Sequence, residues 1–74
     1  MNIREFFACW DNPYPALCRV AKALGHPYGT IAKMLEDFGD LQIADFREEI
    51  VGDSYTGRMR VYVLNIKGRD VRVF

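Results

Sequence analysis

Histidine occurs once in this chain, at His26, and cysteine twice, at Cys9 and Cys18. A structural zinc site needs four ligands in clustered pairs, so no metal is expected. The cysteines read as small apolar core side chains, with a disulfide as the alternative. No run of about 18 apolar residues is present, which excludes a helical membrane span. Arg4 and Glu5 interrupt the N-terminus and no apolar signal region follows them, so an intracellular, cytoplasmic location is expected. Catalytic signatures are missing as well. There is no Gly-x-Ser-x-Gly, no phosphate loop and no dinucleotide glycine pattern. The lone histidine sits in a turn, away from any candidate nucleophile. Glu48 and Glu49 are neighbours on an expected strand and point to opposite faces, which is wrong for shared acid–base work. The reading is a non-enzyme with no cofactor and no small-molecule effector. An excess of either charge is also lacking, since ten Lys and Arg balance ten Asp and Glu.

The distribution of that charge is uneven. Between residues 36 and 53 lie seven acids (Glu36, Asp37, Asp40, Asp45, Glu48, Glu49, Asp53) and one base, Arg47. Between residues 58 and 72 lie five bases (Arg58, Arg60, Lys67, Arg69, Arg72) and one acid, Asp70. Two readings stand side by side: mutual cross-strand pairing, or a phosphate-facing role for the bases.

Half of the 74 residues are hydrophobic, as a small core needs. A domain of about 60 residues buries only about 60% of its unfolded surface. One domain over residues 1–74 is expected, and a homodimer would add buried area. Ile3, Phe6, Phe7 and Trp10 form a helical stripe, with Asn2 as cap, over residues 2–10. Pro15 suits the start of a second helix over residues 15–24, whose apolar side is Leu17, Val20, Ala21 and Leu24. Gly25 stops it. A third helix opens near residues 27–30 and carries Ile31, Met34, Leu35 and Phe38 inward, ending at Gly39. Phe6, Trp10, Val20, Leu24, Ile31 and Leu35 are expected to be buried. Residues 41–51 and 59–66 read as strands, joined by a turn-rich tip over residues 52–57. The apolar phase shifts within the first strand, which calls for a bulge near Ala44 and Asp45. Residues 71–74 alternate like a short terminal strand.

Two short helices around a glycine, followed by a hairpin, resemble a winged helix-turn-helix. The run YGTIAKMLEDFGDL is similar to the recognition helix of small winged regulators of the PadR and MarR kind. LNIKGRDV is similar to the segment after the wing in those proteins. The resemblance covers residues 17–71. It implies an α+β fold of three helices followed by a two- or three-stranded antiparallel sheet, and binding to double-stranded DNA in transcription regulation. In larger winged regulators a dimerisation helix often follows the wing, whereas this sequence ends shortly after it.

By this resemblance helix three enters the major groove and the tip over residues 52–57 reaches a neighbouring minor groove or the backbone. Tyr28, Thr30 and Lys33 are then the candidate contacts to base edges or phosphates. Arg58 and Arg60 would hold the backbone from the wing, and Arg19 and Lys22 would add to this. The rival for Thr30 is a helix cap, and for Tyr28 packing on the turn. A different function class stays open: a winged helix that binds a protein as an adaptor or antirepressor, which zero net charge and an acidic strand would serve.

Overall fold

In the computed structural model, which describes residues 1–53, 55 and 57–73, the chain opens on a capping box. The Asn2 side chain accepts from Glu5 N–H at 2.7 Å, and Glu5 reaches back to Asn2 N–H at 3.4 Å. This starts helix α1 (Ile3–Phe7), which is shorter than the apolar stripe implied. Trp10 N–H bonds to the Phe7 carbonyl at 3.2 Å, so the end tightens into a three-residue turn before Pro13. Helix α2 (Tyr14–Leu24) follows. Gly25 ends it in the left-handed region at φ 76°, and His26 N–H reaches the Ala21 carbonyl at 2.9 Å. That bond satisfies a helix-end carbonyl and turns the chain sharply. Helix α3 (Ile31–Phe38) starts on Thr30.

Three strands complete the fold: β1 (Ile43–Asp53), β2 (Gly57–Ile66) and β3 (Arg69–Val73). They form one antiparallel sheet in the order β1-β2-β3. The register shifts between Ile43 and Asp45, where the change of apolar phase required a bulge. Lys67 and Gly68, at φ 54° and 76°, make the two-residue turn into β3. Both positive φ values match the right-handed twist of the flanking strands. Residues 54 and 56 of the expected tip, and Phe74 of the expected terminal strand, lie outside the described residues.

The core sits between the helices and one sheet face. Ile3, Leu17, Val20, Met34, Phe38, Leu64, Ile66 and Val73 are fully buried there. Phe6, Trp10, Leu24 and Leu35 are half-buried and packed against it. Ile31 departs from expectation and is 36% exposed. It occupies the first position of α3, and helical side chains lean toward the N-terminus, so it points past the end of the surface that α2 covers.

Helices cover only the near half of the sheet. β1 spans eleven residues, about 36 Å of strand, close to the 39 Å long axis of the molecule. β3 pairs with β2 only from Tyr62 to Ile66. The far part is thus a two-stranded ribbon on which Ile50, Val51 and Met59 are exposed. At its root Phe6 meets Phe46 at 5.4 Å and Tyr62 at 6.0 Å between ring centroids.

Candidate nucleic-acid interface

The predicted contact residues fall into three groups. Tyr28 lies in the loop before α3 and is exposed. Thr30 Oγ1 accepts from Lys33 N–H at 3.1 Å, so its hydroxyl caps the helix. Lys33 is exposed but pairs with Asp37 one turn on, at 3.4 Å. With Glu36 beside them, the outer face of α3 carries two acids and one base. Thr30→Ala should therefore cost about 1 kcal/mol of stability, and Thr30→Ser only a few tenths. Urea unfolding of the two variants checks this.

Arg58 and Arg60 stand on the ribbon. Arg60 pairs with Glu48 across the two strands at 3.1 Å. For Arg58 no ion pair is seen among the described residues. Of the two readings of the charge pattern, pairing across the sheet holds for Arg60 and Arg72 among the five bases of residues 58–72. On the sheet face away from the helices, Arg47 bonds Glu49 at 3.2 Å and reaches Asp70 at 3.5 Å, and Arg72 reaches Glu49 at 3.4 Å. The Glu49 hydrogen bond raises the Arg47 pKa further above its ordinary value. These side chains lie across Val61 and Val63, which are buried although no helix covers them. Long arginine stems provide the apolar cover and keep their charged heads in water.

The third group is the one that tertiary structure assembles. Arg19 and Lys22, on the outer side of α2, line a cleft together with Arg72 of β3. Arg69 lies next to it and donates to the Ala23 carbonyl at 3.0 Å, a cation at the negative end of α2. Three bases, Arg19, Lys22 and Arg69, so lie where α2 crosses β3, whereas the Arg72 guanidinium points to the other sheet face and reaches Glu49. Reading the sequence for contacts did not single out Arg69. The available signal was its place in the basic C-terminal run, but only the packing of β3 on α2 brings it to the end of the helix that carries Arg19 and Lys22.

The cysteines correct a further expectation. Cys9 is exposed, Cys18 is half-buried, and both are free. Donating its O–H to the Cys18 sulfur raises the Tyr14 hydroxyl above its ordinary pKa. Among the described residues, no three metal-ligating side chains come together, and no helix is long and apolar enough to cross a membrane.

What the coordinates define is an α+β chain of three helices and a three-stranded antiparallel sheet, with a basic cleft at one side and a projecting ribbon. No protein-family model, no curated protein and no solved structure matches it.

Proposed function

We propose that this chain is a small winged helix-turn-helix protein that binds double-stranded DNA to regulate transcription in the cytoplasm. The observation that carries this reading is the grouping of Arg19, Lys22 and Arg69 at the α2–β3 crossing. Phosphate contacts position a protein on a duplex, and base contacts then specify the site. The cleft supplies the first. The N-terminal end of α3, with Tyr28, Thr30 and Lys33, supplies the second by entering the major groove end-on. An end-on approach suits α3, because its C-terminal half carries Glu36 and Asp37 and would repel phosphate if laid flat. The ribbon is the wing, and Arg58 is its basic contact to the backbone.

Titration of a labelled duplex against salt tests the proposal. A protein holding three phosphates shows a slope of log affinity against log salt of roughly −2.7. Lys33→Ala should lower that slope by about one if the lysine reaches a phosphate. Absence of binding at low salt would leave the second reading, a module that binds a protein. Exposed Ile50 and Met59 on the ribbon favour that alternative.

A further inference from the structure

β1 is an edge strand with one side unpaired. Its entry is covered, because Ile43 N–H donates to the Met1 carbonyl at 2.8 Å and Asn2 bridges to Gln42. Beyond the bulge, from Asp45 to Asp53, β2 is its only strand neighbour among the described residues. Phe46 N–H takes the Asp45 carboxylate at 2.8 Å, a local bond where a neighbouring strand is missing. Exposed edges invite pairing, and proteins usually shorten or protect them. This one is long and carries Phe46, 50% exposed, and Ile50, 62% exposed, on the helical face. Arg47 and Glu49 stand on the other face, because side chains alternate along a strand.

We propose that this edge pairs antiparallel with the same strand of a second copy, about a two-fold axis through Glu48. In that register Phe46 lies opposite the partner's Ile50, and Arg47 lies opposite the partner's Glu49. Symmetry repeats both matches, as an isologous interface requires. Sliding by one residue sets inward-pointing backbone groups of one strand against outward-pointing groups of the other. Sliding by two residues sets either Arg47 or Glu49 opposite its own counterpart and loses both matches. The two Glu48 carboxylates that meet at the axis are each already paired with Arg60 at 3.1 Å. The same operation brings the partner's Phe6–Phe46 aromatic cluster beside Ile50, on the part of the ribbon that its own helices leave bare. The result is a continuous sheet of six strands. The other free edge, β3, has only five residues, and its Val71 and Val73 are already buried. Pairing there would cover no exposed apolar side chain. The dimer does not depend on the DNA reading.

Two charge reversals test it, Arg47→Glu and Glu49→Arg. Alone, each variant places two like-charge pairs across the seam. Cross-strand pairs of this kind differ enough to weaken the dimer roughly tenfold or more. Mixed one to one, the two variants form a heterodimer in which both pairs are opposite in charge again. The wild-type chain should sediment as a dimer at micromolar concentration, each variant should dissociate, and the mixture should recover close to wild-type affinity. Changes within the chain are the same in the mixture as in the separate variants, so only a contact between copies can produce the recovery. Ile50→Lys, at an exposed position, serves as a second variant and should also weaken the dimer. A monomeric wild type, variants that dimerise as tightly as wild type, or a mixture no tighter than its components would each overturn the proposal.

Discussion

Leu64→Ala should cost about 2–5 kcal/mol of folding free energy, and Ile31→Ala less than about 1 kcal/mol. Both residues belong to apolar patterns that point inward. Leu64 sits in the central strand, fully buried, with Phe46 and Val71 as its cross-strand neighbours. Its truncation removes a buried isobutyl group and leaves a cavity that strands paired on both sides cannot close. Ile31 is 36% exposed at the first position of α3, so alanine there leaves no enclosed void and gains helix propensity. Native domains are stable by only about 5–15 kcal/mol. The Leu64 variant should therefore be close to unfolded at physiological temperature. For a domain of this size 1 kcal/mol corresponds to about 4–8 °C in Tm, so thermal unfolding separates the two variants easily. Equal losses at the two positions would show that Ile31 is buried after all.

Ile31 also shows where sequence periodicity stops being informative. A helical wheel gives the direction of a side chain, and for Val20, Met34 and Phe38 direction was enough. It does not say where the facing surface ends. Ile31 points in the right direction, just beyond the reach of α2. The same limit applies to α1: Phe6 and Trp10 do pack on the core, but Trp10 does so from a turn after the helix has ended. The bulge at Ala44 was legible because one extra residue flips every later side chain to the other face. Once that register is set, the pair of Glu48 with Arg60 follows from a short diagonal between neighbouring strands, and Arg72 of β3 reaches Glu49 of β1 across β2. The basic cleft was not legible in this way. Arg19 and Arg69 are fifty positions apart in the chain, and no local pattern states that β3 will lie under α2.

The double variant Arg19→Ala and Lys22→Ala should reduce affinity for duplex DNA by at least about tenfold at moderate salt and flatten the salt slope by about two. A hydrogen bond to a charged group is worth about 1.5–3 kcal/mol. Two such contacts exceed tenfold even after screening by salt. Arg69 is left in place because its bond to the Ala23 carbonyl ties β3 to α2, and its loss would confuse folding with binding. The two replaced side chains are exposed, so the fold should persist, and circular dichroism with urea unfolding verifies that. Arg58→Ala and Lys33→Ala, made separately, should each flatten the slope by about one at most. The ordering of effects is the decisive result. A dominant loss from the double variant places the phosphate grip at the α2–β3 crossing. A dominant loss from Lys33→Ala would move it to α3, despite the two acids there. If the folded double variant binds as well as the wild type, the bases of the cleft do not face phosphate, and the exposed apolar residues of the ribbon become the better guide to a partner.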